Sequence, residues 1–109
     1  MAGLLNAIKF RQYRRRTAGA EKNTLIDLAL ENKLALEVQY HNKEGETRFR
    51  TVEPLYIDKS GNLKVWDQEE KGYRSFIPEK ILTAQWTGAV FTIVDRKIPV
   101  LDDKFRVRA

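Results

Sequence analysis

Apolar residues between positions 25 and 30 recur at the spacing of one helix face. Leu25, Leu28 and Ala29 share that face, and Ile26 and Leu30 widen it. An apolar stripe of this width is typical of a helix that packs on a protein core. The stretch therefore predicts one amphipathic α-helix.

Neighbouring polar residues define the ends of this helix. Thr24 is a favourable N-cap, and Asp27 lies three residues later, near the positive end of the helix dipole. Asn32 supplies a stop signal. We therefore expect the helix to run from Thr24 to Asn32.

From residue 34 onward the hydrophobic period changes to two. Apolar and mostly polar positions alternate as far as residue 41, which is typical of a half-buried strand. Pro54 is expected to end or bend the second strand, and the charged stretch "DQEEKG" is interpreted as a solvated turn. Further strands are predicted at residues 46–53, 55–57, 63–66, 73–77, 82–86 and around 90–94.

One helix followed by several short strands at close spacing predicts a mainly β fold of the α+β class. The expected form is a small barrel or strongly bent sheet of about five strands. A chain of 109 residues fits one domain. The core is predicted to contain Leu36, Val38, Val65, Trp66 or its neighbour, Ile81 and Trp86.

The composition excludes several kinds of chemistry. The chain has no cysteine, which excludes disulfides, thiolate zinc sites and a cysteine nucleophile, and its one histidine is His41. It contains no phosphate-binding glycine loop and no nucleophile with a base, so we expect neither an enzyme nor a cofactor or metal site. No apolar run approaches the roughly 20 residues that span a bilayer. We therefore expect a protein of the reducing cytoplasm that has no membrane partner.

The whole net positive charge of the chain comes from its first 20 residues. Residues 1–20 hold five basic residues and no acidic one, whereas residues 21–109 hold fifteen of each. This pattern indicates either an arm that contacts nucleic acid or another polyanion, or a solubilising tail. We expect the "TAGA" stretch at 17–20 to be a flexible link, so deleting residues 1–16 should leave the fold intact. The basic residues are Lys9, Arg11, Arg14, Arg15 and Arg16.

Five motifs follow one another between about residue 24 and residue 88. The helix "TLIDLALENK" precedes the strand "LALEVQY", and "KEGETRFR", "VEPLYI" and "YRSFIPEKI" follow. In order and spacing they resemble the WYL domain, an Sm-like and SH3-like barrel of prokaryotic regulators and phage-related defence proteins. Two features depart from the family pattern. Trp66 is the only aromatic residue near the tryptophan-tyrosine-leucine triad, and Lys80 stands where an arginine is usual.

The resemblance implies a binding module. In the family, basic and polar residues on the barrel face are thought to engage nucleic acid or a nucleotide-like effector. The positions of this chain that match are Tyr40, Arg48, Arg74 and Lys80.

The residues themselves leave two interpretations of Arg74 and Phe76 open. They lie two apart on a predicted strand and so share a face. If Phe76 is exposed, the pair could stack a base and hold its phosphate. If Phe76 is buried, Arg74 also points inward and needs a charged partner. Two interpretations are also open for Tyr40, which is either a buried tyrosine or a ligand contact. Arg48 either binds a ligand or protects an edge strand from aggregation by its charge.

The sequence therefore predicts a non-enzymatic regulatory or accessory module that engages RNA or DNA. The expected regions are a basic arm at 1–20, a barrel domain at 21–88 and a strand and tail at 89–109. The alternatives are a sensor of a small anionic effector and a structural protein that dimerises or binds a partner. The expected contacts are Tyr40, Arg48, Arg74, Phe76 and Lys80 on the barrel and Arg14, Arg15 and Arg16 on the arm.

Overall fold

The computed structural model describes residues 10–93, which form one α-helix, five β-strands and two short 3₁₀-helices. Predictions for residues 1–9 and 94–109 lie outside the described part. The 3₁₀-helices cover Arg11–Arg14 and Pro78–Lys80. The remaining elements are α1 (Gly19–Asn32), β1 (Leu34–His41), β2 (Thr47–Ile57), β3 (Leu63–Asp67), β4 (Gly72–Phe76) and β5 (Ile81–Val90).

The five strands form one antiparallel sheet in the order β4-β3-β2-β1-β5. Each hairpin pairs consecutive strands, and β5 returns to lie against the free side of β1. The predicted mainly β fold with one preceding helix is therefore confirmed.

A contact between Tyr40 of β1 and Phe76 of β4 shows how strongly the sheet bends. These strands are three steps apart in the sheet, which in a flat sheet would separate them by about 14 Å. Their ring centroids are instead 4.4 Å apart. The sheet therefore curls into a barrel-like shape, with one face directed inward.

The core fills this concave face under α1. Leu25 and Ala29 of the predicted helix face are buried in it together with Ile26, whereas Leu28 and Leu30 are only partly buried against it. The predicted core positions are confirmed, with Trp66 itself half-buried and its neighbour Val65 buried. The buried strand residues are Leu34, Leu36, Val38, Val52, Leu63, Val65, Phe76, Ile81, Ala84 and Trp86.

Helix α1 begins five residues earlier than predicted. Thr24 lies inside the helix, where its hydroxyl donates to the carbonyl of Ala20, so it is not the N-cap. The predicted end at Asn32 is confirmed, and Lys33 follows in the left-handed conformation with its N–H bonded to Ala29. This helix is not long and apolar enough to cross a membrane, and within residues 10–93 no other helix is.

Pro54 does not end β2, which continues to Ile57 and includes the separately predicted strand 55–57. Proline lacks an N–H and disrupts a regular strand ladder. Here the pairing of β2 with β3 shifts register between Pro54 and Tyr56. The irregularity at this point accommodates the proline, because it already interrupts the ladder.

Strand β5 is longer than predicted and ends at Val90. The separate strand expected around 90–94 is absent from residues 91–93, which have no regular structure, and residue 94 lies outside the described part. The predicted domain boundaries at residues 21 and 88 fall inside α1 and β5 respectively.

A buried lysine ties α1 to the second 3₁₀-helix. Lys22 is only 7% exposed, and its ammonium donates to the carbonyls of Pro78 (3.2 Å) and Ile81 (2.8 Å). These bonds satisfy a charge that burial would otherwise make costly. They also fix the connection between β4 and β5, which carries Lys80.

The described part of the N-terminal arm is packed onto the barrel, contrary to expectation. Phe10 is 2% exposed and Tyr13 6% exposed, and both belong to the core. Thr17, placed in the expected flexible link, exchanges two backbone hydrogen bonds with Ala84 of β5. The expectation that deletion of residues 1–16 leaves the fold intact is therefore wrong, because the deletion would remove core side chains.

We predict that Phe10→Ala lowers the unfolding free energy by roughly 3–5 kcal/mol, as truncation of buried aromatic residues does. Chemical denaturation measures the change. Arg11→Ala, at the exposed neighbouring position, is the control and should leave the midpoint nearly unchanged. Equal midpoints for Phe10→Ala and the parent would show that the segment is not part of the core.

The β2–β3 turn contains an acid whose pKa the fold lowers. The backbone N–H of Asn62 donates to Asp58 at 2.9 Å, and this bond, with a second from Ser60, lowers the pKa of Asp58. Lys64, at 3.6 Å, adds a smaller effect in the same direction.

The lowered pKa predicts a pH-dependent contribution to stability. The ionised Asp58 stabilises the fold above its unfolded pKa of about 3.9, and this contribution disappears as the pH falls through the lower folded value. The stability difference between the parent and Asp58→Asn should therefore shrink between neutral pH and pH values below about 3. Urea midpoints at both pH values test this, and a difference independent of pH would contradict it.

Candidate nucleic-acid interface

Four of the predicted contact residues lie on the concave face of the sheet. Tyr40 of β1 and Arg48 of β2 are cross-strand partners, and Arg74 and Phe76 lie two apart on β4. The ring contact between Tyr40 and Phe76 joins the two pairs. Lys80 stands apart on the second 3₁₀-helix.

Phe76 is a core residue. Its side chain is 4% exposed and packs on the half-buried ring of Tyr40. A buried ring offers no face on which a base could stack. Phe76 is therefore not exposed for base stacking, and the alternative interpretation applies, in which Arg74 points inward and needs a charged partner.

Asp67, at the end of β3, is that partner. Its carboxylate is fully buried, and Arg74 Nε donates to Asp67 Oδ2 at 2.8 Å. The other oxygen, Oδ1, accepts the backbone N–H groups of Glu69 (2.9 Å) and Glu70 (3.1 Å). The interpretation of "DQEEKG" as a solvated turn is therefore wrong for its first residue, which organises the turn from inside.

A second arginine completes a cluster of compensating charges. Arg50 Nη1 lies 3.4 Å from Asp67 Oδ2 and 3.1 Å from Glu70 Oε2. Arg74 Nη2 lies 3.8 Å from the other oxygen of Glu70. Two guanidinium groups thus face two carboxylates, and the cluster has little net charge to offer an anionic ligand.

Arg48 is placed differently from these two arginines. Its side chain is 55% exposed, and Nη2 donates to Glu46 at 2.7 Å. This bond from Arg48, with a weaker one from Asn42, lowers the pKa of Glu46. An exposed ion pair of this kind contributes little energy, so another anion can readily replace Glu46 as the partner of Arg48. Lys80 is half-buried and forms no ion pair within residues 10–93. Arg48 is therefore an accessible cation of the barrel, and Lys80 a partly accessible one.

The described part of the arm presents a row of arginines packed against the barrel, which we call the basic strip (residues 11–16). Phe10, Tyr13 and Thr17 are buried and fasten the segment to β5. Between them the four arginines of the strip are exposed. Three of them, Arg11, Arg14 and Arg15, form no ion pair with any carboxylate of residues 10–93.

Arg16 extends from the strip across three strands. Its guanidinium donates to Thr83 Oγ1 and to Gln85 Oε1 of β5, each at 3.0 Å, and is ion-paired with Glu37 of β1. It ends 4.9 Å from the ring centroid of Phe49 on β2. This side chain therefore links the strip to the outer, convex face of the sheet.

Arg14 contacts β5 closer to its C-terminal end than Arg16 does, beside Trp86 and Gly88. Its guanidinium carbon is 5.9 Å from the ring centroid of Trp86. Gly88 makes room for it, since a Cβ there would lie 2.5 Å from Nη1 of Arg14. The φ of +95° at Gly88 also favours glycine.

Sequence reasoning missed Asp67, Arg50 and Phe49. The alternation of β3 carried a usable signal, because Leu63 and Val65 face inward and the next position on that face is Asp67. An acid at an inward position calls for basic partners on neighbouring strands. No comparable sequence signal places Phe49 beside Arg16, since that contact depends on how the arm docks.

Within residues 10–93, no group of three or more histidine, cysteine, aspartate or glutamate residues is arranged to hold a metal ion. Comparison of the chain with protein-family models, curated proteins and solved structures finds no match in any of the three.

We predict that Arg74→Ala destabilises the fold by about 1–3 kcal/mol, because it removes the closest charged donor from a buried carboxylate. Arg48→Ala is the matched control, since it removes an exposed arginine from the neighbouring region of the same face and should leave the urea midpoint nearly unchanged. Similar midpoints for both variants would show that the Asp67 pair does not stabilise the fold.

Proposed function

We propose that the chain is a non-enzymatic, cytoplasmic binding module with a regulatory or accessory role that engages nucleic acid through the basic strip. The observation that carries the proposal is the arrangement of residues 11–16. Four arginines lie within six positions, buried neighbours hold the segment in place, and three of the four have no carboxylate partner within residues 10–93.

The charge of the remaining described residues supports this location. Residues 17–93 hold ten basic and twelve acidic side chains. Phosphate contacts supply most of the non-specific affinity of proteins for nucleic acids. A polyanion would therefore be attracted to the strip rather than to the body of the barrel.

The chemistry and order of the strip suit phosphate groups. Arginine presents a planar fork that can donate two parallel hydrogen bonds to a phosphate. Because the segment is already fastened to β5, binding would not require the backbone of the strip to become ordered, which lowers the entropic cost of association.

The likeness to the WYL domain supports the same class of ligand. Among the matching positions, Arg48 is an accessible cation and Lys80 a partly accessible one, and we assign them auxiliary contacts with the ligand. Phe76 is assigned a structural role because it is buried, and Arg74 because it is paired with Asp67. Tyr40 is half-buried and lies directly across from Arg48 in the sheet.

We predict that Arg11→Ala and Arg15→Ala each weaken binding to a fluorescent oligonucleotide to a similar extent whatever its sequence, because phosphate contacts carry no base information. Each variant should also reduce the slope of log K against log salt by roughly one. Fluorescence anisotropy titrations between about 50 and 200 mM salt measure both quantities.

Lys43→Ala and Lys59→Ala remove exposed charges from turns elsewhere in the molecule and serve as controls. They should bind like the parent. If all four variants lose the same affinity, the effect reflects only the net charge of the protein and contradicts a specific role for the strip. A parent that binds no oligonucleotide at low salt would overturn the proposal. Binding of a mononucleotide with no gain for longer chains would instead identify a sensor of a small anionic effector.

A further inference from the structure

Phe49 is an exposed aromatic residue on the outer face of the sheet, near the start of β2. The register pairs it with Gln39 of β1, whose neighbours Val38 and Tyr40 point to the concave side. Phe49 therefore projects outward, and it is 50% exposed. A large exposed aromatic side chain on a sheet face is available for contact with a ligand.

The basic strip reaches this ring through Arg16. The guanidinium lies 4.9 Å from the ring centroid and is held by Thr83, Gln85 and Glu37. Because Glu37 neutralises it, Arg16 acts mainly by positioning the ring. Phosphate contact is left to the arginines of the strip that form no ion pair within residues 10–93. A surface for a ring-shaped ligand group thus lies at the end of the strip marked by Arg16.

Beside the Arg16–Glu37 ion pair, the surroundings of Phe49 include uncharged polar side chains. Gln39 and Thr83 are joined by a hydrogen bond of 2.9 Å, and Gln85 accepts from Arg16. Amide and hydroxyl groups of this kind can pair with the edges of nucleic-acid bases. A second copy of the chain would bring the same positive strip towards this face, so charge complementarity favours a polyanion as the occupant.

We propose that Phe49 is a stacking platform for an unpaired base of a single-stranded nucleic acid whose phosphates are held by the basic strip. The inference rests on the proposed function and makes it specific, since a base within a duplex is already stacked on its neighbours. Aromatic side chains beside a positively charged track are the usual equipment for binding single strands.

The test compares oligonucleotides with and without bases. The probes are an oligodeoxyuridylate and an oligouridylate of about 12 nucleotides, which differ only in the sugar, an abasic strand of the same length, and a duplex. Phe49→Ala should weaken binding of the two base-bearing strands by roughly ten-fold and leave the abasic strand and the duplex unaffected. The stronger of the two base-bearing strands identifies the preferred sugar.

Phe49→Tyr keeps the ring and should bind like the parent. Ile57→Ala is the matched control, because Ile57 lies on the same strand and is 44% exposed, and it should also bind like the parent. Equal losses for abasic and base-bearing strands would overturn the stacking role while leaving the proposed function in place. A parent that binds none of the probes would overturn both.

Sedimentation velocity of the parent and of Phe49→Ala provides the last comparison. A monomer in both cases supports the inference. A parent dimer that Phe49→Ala converts to a monomer would show that Phe49 forms an interface between copies of the chain, and would overturn it.

Discussion

The docking of the N-terminal segment on β5 is the constraint from which the arrangement of the outer surface follows. Thr17 and Ala84 exchange two backbone hydrogen bonds at the otherwise free edge of β5, and Phe10 and Tyr13 enter the core. Once these three residues are fixed, the intervening arginines have no inward position left. A segment that composition alone would describe as a charged tail thus becomes part of the folded surface.

A single buried carboxylate explains why two arginines of the sheet differ from those of the basic strip. Asp67 is fully buried, so the fold needs charged donors beside it, and Arg50 and Arg74 supply them. Their charge is therefore balanced within the protein. The arginines of the basic strip face no such requirement, apart from Arg16, and keep their charge available for a ligand.

Much of the fold followed from local patterns, because hydrophobic period and turn residues act over a few positions. The alternation from Leu34 to His41 located β1, and the helical face around Leu25 located α1. The early start of α1 was missed because Thr24, a favourable cap by type, bonds within the helix to Ala20. The continuation of β2 past Pro54 depends on its pairing with β3, which local sequence does not encode.

The candidate site was less predictable for the same physical reason. Arg74 and Phe76 were recognised as sharing a face, and the need for a partner if Phe76 was buried followed correctly from the cost of an unpaired charge. The identity of that partner could not follow, since Asp67 reaches Arg74 only through strand pairing. The meeting of Arg16 and Phe49 spans 33 positions of the chain and three strands.

The two faces of the sheet therefore differ in what their charges can do. On the concave face, the Asp67 cluster stabilises the β3–β4 turn, and disturbing it would change the fold before it changed binding. On the convex face, Arg16 and Phe49 contact each other without burying the ring, so their chemistry remains accessible. There the N-terminal segment brings the basic strip next to the exposed ring of Phe49 through Arg16. Binding at that position would depend on the arm remaining docked, which couples recognition directly to the integrity of the core around Phe10 and Tyr13.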